Sequence, residues 1–384
     1  MENQRQKIEL ADILLANKEE FFRNNIVYKE QGKVFDAITK CRTSEMGGHI
    51  QQCDSCGHVK QAYNSCRNRH CPKCQFIKKE KWIDKLSSNM PPVRQFHVVF
   101  TLPKCLRKLF YINQSQTYSL LFKSAWQSMH QTAKKPKHLG AEIGAIGMLH
   151  TWGQNLIYHP HVHFIVPAGG LDEDNMEWVS CNKKFFLDVK ILSKVFRGIL
   201  YNSIEKGIKT GKIKLPDDIE SIALLKSKCY EKNWVVYCEK PFSNSTNLIK
   251  YLGNYMHRVA ISNNRIISHD KEKVCFSYKD YKSAGIKRII TLKTEEFIKR
   301  FLQHVLPSGF YKIRYFGIMS IASIKTKLEL SYDLIGKALF YSKLEGLSSV
   351  EALEIITGRN VFLCPKCNKG ILKAHPLLTK LEFG

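Results

Sequence analysis

The stretch Tyr158-His159-Pro160-His161-Val162-His163-Phe164-Ile165-Val166 decides how this chain is read. Successive side chains of a β-strand point to opposite faces. His159, His161 and His163 therefore share one face, while Val162, Phe164 and Val166 share the other and should enter a core. Two imidazoles two residues apart on a rigid strand form a bidentate perch for a metal ion. A lone histidine is more often a satisfied core or surface residue. Three on one face, backed by apolar residues, favour metal.

A second apolar run, residues 143 to 156, lies just before this stretch across a short polar turn, so the two runs are expected to pair as strands. A third ligand should then come from the neighbouring strand. Spacing favours Gln154, seven residues before His161 and on a face shared with Trp152 and His150. His150 and His159 are its rivals. Such neutral ligands leave an ion strongly electrophilic and suited to polarising a phosphate oxygen. Imidazole with carboxamide is compatible with magnesium, manganese or zinc, so ligand type does not choose between them.

Further strand-like runs occupy residues 95–102, 234–239, 287–292 and 312–318, with a β-ribbon over 260–280 turning at Asn263-Asn264. Helical patterns cover much of 1–40, 75–86, the segment up to about 130, parts of 182–232, 247–259 and the residues after Thr294. Strands and helices do not alternate strictly, which predicts an α+β fold. Pro91-Pro92 marks a boundary. The expected organisation is a helix plus zinc-binding, DNA-contacting domain over 1–90, a catalytic domain over 91–320, and a region without an assigned role over 321–384.

The chain has 13 cysteines, most of them in CxxC pairs or alone, a pattern that favours metal over disulfides in a reducing compartment. Cys53-x-x-Cys56 and Cys71-x-x-Cys74 are separated by fourteen residues, and their four thiolates are expected around one zinc. Cys41, His49, Cys66 and His70 offer a second, mixed site. Another pair, Cys364 and Cys367, stands near the C-terminus with no partner pair; His375 could help it bind, and an incomplete site or plain surface cysteines are the equal alternatives.

Charge points to the partner. Lys and Arg number 60 against 34 Asp and Glu, a net charge of +26. A surplus of this size attracts a polyanion, since each neutralised phosphate releases condensed counterions. Arg67, Arg69, Lys73, Lys78 and Lys79 crowd the second knuckle and the residues after it, where they are expected to contact DNA. The first twenty residues lack a signal-peptide core, and no apolar run approaches the length that spans a bilayer. A cytoplasmic, nucleoid-associated protein with DNA as partner and no membrane contact is expected; the sequence is silent on oligomeric state.

A nucleophile must be sought elsewhere. Tyr251-Leu252-Gly253-Asn254-Tyr255 sets two phenols at i and i+4, on one face of an expected helix. Among 16 tyrosines such a pair carries little weight alone, and Tyr311 with Tyr315 is another. Simple burial beside Leu248, Leu252 and Val259 is the plain alternative. Lys250, His257 and Arg258 strengthen the case, because a phenol with a pKa of about 10 needs an electropositive setting to attack at neutral pH.

His161-Val162-His163 is a His-hydrophobic-His (HUH) motif, followed downstream by paired tyrosines. The wording around it is also distinctive: Asn64-Ser65-Cys66-Arg67-Asn68-Arg69-His70-Cys71-Pro72-Lys73-Cys74-Gln75, Phe96-His97-Val98-Val99-Phe100-Thr101-Leu102-Pro103 and Leu149-His150-Thr151-Trp152-Gly153-Gln154-Asn155-Leu156. Over about residues 10 to 320 the chain resembles the rolling-circle transposases of the insertion sequence ninety-one type, HUH endonucleases of mobile elements with a zinc-binding N-terminal domain. The resemblance implies a central antiparallel sheet carrying the metal, with flanking helices and a tyrosine helix packed across it. It implies a divalent metal, magnesium or manganese, at the histidines and structural zinc in the N-terminal domain. It further implies DNA transposition and recombination at insertion-sequence ends. Single-stranded DNA would be cleaved through a 5′-phosphotyrosine and rejoined, with Tyr251 and Tyr255 at the positions of the paired nucleophiles.

Two other readings compete. A metallo-β-lactamase-like hydrolase would want an acidic residue at position 165, where Ile165 stands. A zinc-finger regulator or RNA binder would explain charge and cysteines but leave the histidine strand and the tyrosine pair idle.

Overall fold

The computed structural model describes residues 8–181, 186–239, 259–280, 283, 285–336 and 341–375. Its strands are β1 (Gly48–Cys53), β2 (Val59–Tyr63), β3 (Gln95–Thr101), β4 (Gly144–Trp152), β5 (Tyr158–Pro167), β6 (Gly169–Asp172), β7 (Glu177–Ser180), β8 (Val236–Cys238), β9 (Ile266–His269), β10 (Lys273–Asp280), β11 (Ile286–Lys293), β12 (Ile313–Gly317) and β13 (Leu372–Ala374). All pairings are antiparallel, and helices flank them, so the fold is α+β. Among the described residues no helix is long and apolar enough to cross a membrane.

The centre is a five-stranded sheet in the order β12-β4-β5-β3-β8. Alternation along β3 and β5 builds its first face: Phe96, Val98 and Phe100 lie beside Val162, Phe164 and Val166, all buried. Helices Gln114–Ala133 and Val189–Lys209 cover that face with Tyr118, Phe122 and Met129 from one and Leu192, Phe196 and Leu200 from the other. Fully burying a phenylalanine contributes about 1.5–3 kcal/mol, which makes this aromatic layer the main anchor of the sheet. Gly147 in β4 has no side chain because a Cβ there would lie 2.7 Å from the Phe164 ring, with Phe122 and Phe316 close behind. The opposite face carries the histidines, and farther along the strands Ile146, Met148 and Ile165 pack on Ile83, Leu86 and Leu328.

The N-terminal helices Leu10–Ala16, Lys18–Asn24 and Lys29–Thr39 bury Leu10, Ile13, Leu14, Phe21 and Phe35 in a second core. Their partners come from far along the chain: Val274 and Phe276 of the β9-β10-β11 sheet, and Phe297, Ile298 and Phe301 of helix Thr294–Leu302. The ribbon expected over 260–280 differs in its turn. Asn263–Arg265 is a single helical turn before β9, and the reversal falls at Asp270, whose carboxylate accepts from the amides of Glu272 (2.8 Å) and Lys273 (2.7 Å). An aspartate that binds its own backbone two residues on outcompetes the Asn-Asn signal.

The C-terminal residues fold back on the start of the chain. Asp84 in helix Phe76–Ser88 accepts from the Leu344 amide at 2.8 Å, Lys85 pairs with Glu345 at 2.5 Å, and Lys81 donates to the Leu347 carbonyl. Part of the basic helix is thereby covered by the protein itself. Finally β13 adds to the edge of β1, giving a sheet β13-β1-β2.

Candidate metal centres

On the histidine face of the main sheet, His161 stands directly across from His150 in the β4–β5 pairing, and His163 is the next residue on that face. Ring centroids lie 5.5 Å apart for His150 and His161, 4.6 Å for His150 and His163, and 4.8 Å for His161 and His163. Ring nitrogens from these three all fall within 4.8 Å of one another, close enough for one ion to hold them.

Hydrogen bonds behind the rings assign their tautomers. The His161 Nδ1–H donates to the carbonyl of His159 at 2.6 Å, which leaves Nε2 with a lone pair. His163 Nδ1 lies 2.8 Å from His97 Nε2, and His97 Nδ1 lies 3.1 Å from a carboxylate oxygen of Glu239. A carboxylate only accepts, so the proton on His97 sits on Nδ1. His97 Nε2 then accepts from His163, which puts the His163 lone pair on Nε2, the nitrogen that could bind an ion. Carboxylate, imidazole, imidazole and metal position form one chain, the outer-shell arrangement that orients ligating histidines and raises their basicity. Burial holds His161 near pKa 4 and His163 well below its ordinary value, so both are neutral at pH 7. Neutral imidazoles with their second nitrogens engaged fit a divalent ion.

The favoured third ligand, Gln154, follows the end of β4. The pairing of β4 with β5 shifts between His150 and Trp152, β4 ends there, and Gln154 falls in the turn beyond, its carbonyl taken by the Arg265 guanidinium. His150, named as a rival, is the residue the register brings to the pair. His159 is turned to Arg107, whose guanidinium donates to its Nδ1 at 2.5 Å. The sequence reading missed His97 and Glu239 as parts of the site. A polar residue inside an otherwise apolar strand was the signal for His97, but nothing local pointed to Glu239.

The cysteines regroup. Two knuckles expected to share one zinc are placed in different clusters. Cys71 and Cys74 join Cys41 and Cys66, with sulfurs 3.4 Å apart for Cys41–Cys74 and 3.7 Å for Cys66–Cys74. Cys53 and Cys56 lie at the far end of β1, away from that cluster. The reason is the β1–β2 hairpin, which carries the first knuckle out on its tip while Cys41 and Cys66 flank its base beside the second. In the mixed site expected from Cys41, His49, Cys66 and His70, only the cysteines come together. His49 projects from β1, where Gln51 meets its Nε2 at 3.2 Å. His70 faces Lys312, Arg69 and His304 instead.

Of the expected DNA-contacting cations, Arg67 and Lys78 are exposed, with Lys78 donating to the Arg67 carbonyl at 3.1 Å. Arg69 donates to the Phe310 carbonyl at 2.6 Å, Lys73 pairs with Glu9 at 2.7 Å, and Lys79 pairs with Glu80 at 2.8 Å. Tyr251, Tyr255, Lys250 and Arg258 lie outside the described residues.

The chain thus joins a cysteine-clustered N-terminal module to a histidine-bearing antiparallel sheet. Residues 13–102 match the family model "Transposase zinc-binding domain", and residues 144–327 match the model "Putative transposase". The chain is 38% identical over 373 residues to "Putative transposase y4qJ" of Sinorhizobium fredii (strain NBRC 101917 / NGR234), covering 94% of this chain and 93% of that one. It is 29% identical over 297 residues to "Transposase for insertion sequence element IS801" of Pseudomonas savastanoi pv. phaseolicola, covering 74% of this chain and 70% of the other. No solved structure matches. The chain belongs to the transposases of the insertion sequence ninety-one type.

Proposed function

We propose that this transposase cuts and rejoins single-stranded DNA at the ends of its element by tyrosine attack at a histidine-held divalent metal. The observation that carries the reading is the group His150, His161 and His163, which lies within the segment that matches the transposase model, with Glu239 and His97 hydrogen-bonded behind it. Magnesium or manganese at these neutral nitrogens would polarise a phosphate oxygen and stabilise charge developing on it.

The chain's own residues supply the remainder. Tyr251 or Tyr255 gives the phenolic oxygen that bonds to phosphorus as the bond from phosphorus to the 3′ oxygen breaks. The phenol proton ends on that 3′ oxygen, leaving a 3′-hydroxyl and a 5′-phosphotyrosine. Attack by a 3′-hydroxyl on the phosphotyrosine reverses the bookkeeping and releases the phenol, so joining needs no external energy source. Lys250, His257 and Arg258 flank the tyrosines in sequence and offer cations to the phosphate. Arg67 and Lys78, exposed beside the cysteine cluster, offer the phosphate contacts that position the strand.

The test is incubation with single-stranded element ends and manganese, followed by denaturing electrophoresis. A covalent protein–DNA adduct that needs the metal is expected. Absence of an adduct with every single-stranded end, while DNA is still bound, would leave a binding protein without this chemistry.

A further inference from the structure

We infer that Cys53, Cys56, Cys364 and Cys367 form a second four-cysteine zinc site, which clasps the C-terminal segment to the N-terminal zinc-binding module. The four sulfurs lie within 4.8 Å of one another although more than three hundred residues separate the pairs. Sulfurs are 3.8 Å apart for Cys53–Cys367 and 3.7 Å for Cys56–Cys364. Four thiolates placed tetrahedrally around zinc, with bonds of about 2.3 Å, stand about 3.8 Å apart. Cys53 and Cys364 are buried in a small cluster of their own with Leu372.

The two halves are built alike. In each, the residue after the second cysteine turns back and donates its amide to the first cysteine's carbonyl: Gly57 to Cys53 at 3.1 Å, Asn368 to Cys364 at 2.9 Å. Both residues adopt positive φ, +68° and +53°. Glycine and asparagine are the residues that tolerate this conformation. The turns aim amides at sulfur: Ser55 and Cys56 point to Cys53 Sγ at 3.4 and 3.5 Å, and Gly370 to Cys367 Sγ at 3.3 Å. Amides directed at a sulfur stabilise a thiolate, the form that binds metal.

The backbone holds the halves in register. β13 pairs with β1, matching Cys53 to Leu372, and Asp54 exchanges two bonds with Ile371: its amide donates to the Ile371 carbonyl at 3.1 Å and its carboxylate accepts the Ile371 amide at 2.8 Å. Lys373 pairs with the same carboxylate at 3.1 Å. Gly370 fits because a Cβ there would lie 2.5 Å from Cys53 Sγ. Residues 364–367 lie beyond both family-matched segments, so this half belongs to the C-terminal region alone.

Zinc analysis of the full-length protein tests the assignment. C364S/C367S should lose one zinc per chain relative to wild type, C53S/C56S should lose the same amount, and the quadruple variant should lose no more than either pair. Full zinc in C364S/C367S, or a further loss in the quadruple variant, would overturn it. Wild-type protein provides a readout that does not depend on variants folding. With zinc bound, Cys56 and Cys367, the less buried members, should resist alkylation by iodoacetamide, as read by mass spectrometry, and become reactive once a chelator strips the metal. Equal alkylation rates with and without chelator would refute the site.

Discussion

His97 Nε2 lies 2.8 Å from His163 Nδ1, and the two rings stack with centroids 5.1 Å apart on one face of the central sheet. Through His97 the carboxylate of Glu239 fixes which nitrogen of His163 is turned to the metal position. Under the proposed chemistry His97 and Glu239 act as positioning residues. Their removal should lower metal affinity by about 10–100-fold, the usual cost of losing an outer-shell partner. For His97→Ala and Glu239→Gln the manganese concentration needed for half-maximal adduct should rise while saturating metal restores most of the yield. An unchanged manganese requirement would show that the contact only packs the core.

His150 and Gln154 make opposite predictions. If the β4–β5 register supplies the third ligand, His150→Ala should reduce metal-dependent cleavage more than tenfold, consistent with loss of a direct ligand. Gln154→Ala, altered in a turn where the backbone carbonyl accepts from Arg265, should stay near wild type. The reverse ranking of the two variants in the adduct assay would return Gln154 to the site.

Tyr251→Phe with Tyr255→Phe should abolish the adduct and leave single-stranded DNA affinity within about twofold, since only two hydroxyls are removed. Binding that falls in step with the adduct would mark both tyrosines as structural. Comparing the two single variants shows whether one phenol suffices for cleavage.

The cluster of Cys41, Cys66, Cys71 and Cys74 predicts which variants release N-terminal zinc. Cys66→Ser should lower bound zinc and destabilise the module, because structural zinc contributes directly to folding. His49→Ala, altered on an exposed strand position, should retain it. Zinc loss in His49→Ala equal to that in Cys66→Ser would reinstate the mixed site.

His304 predicts acid sensitivity. It is buried, with Thr151 Oγ1 at 3.2 Å from Nδ1 and the Leu156 carbonyl at 3.0 Å from Nε2, and burial lowers its pKa to about 4. An unfolded histidine takes up its proton near pH 6.5, so between pH 6.5 and 4 the unfolded chain binds more protons than the native one. This contribution is fully present above pH 6.5 and is lost as pH falls toward 4, by about 1.4 kcal/mol per pH unit. His304→Gln should flatten the decline, measured by denaturant unfolding at pH 7, 6 and 5. Parallel declines for the two proteins would assign the acid sensitivity to other groups.

Local periodicity was enough for much of the fold. Alternation at Val162, Phe164 and Val166 marked a strand with one buried face, and the His-x-His spacing placed His161 and His163 together, because a two-residue repeat is a property of any strand. The CxxC pairs likewise marked metal-binding turns. Partner choice was not local. His150 stands opposite His161 and Gln154 falls in the turn beyond, because a register shift precedes the end of β4 at Trp152, and register decides which face each side chain takes. Glu239 meets His97 only because β8 pairs with β3, across more than a hundred residues. Cysteine spacing fixed the knuckles but not their pairing. Cys53 and Cys56 meet Cys364 and Cys367 because β13 adds to β1, while Cys71 and Cys74 close on Cys41 and Cys66. Sequence alone thus determined His161, His163 and the strand that presents them; tertiary structure decided which side chains come within reach of a common ion, since that depends on distances in space and the chain records only separations along its length.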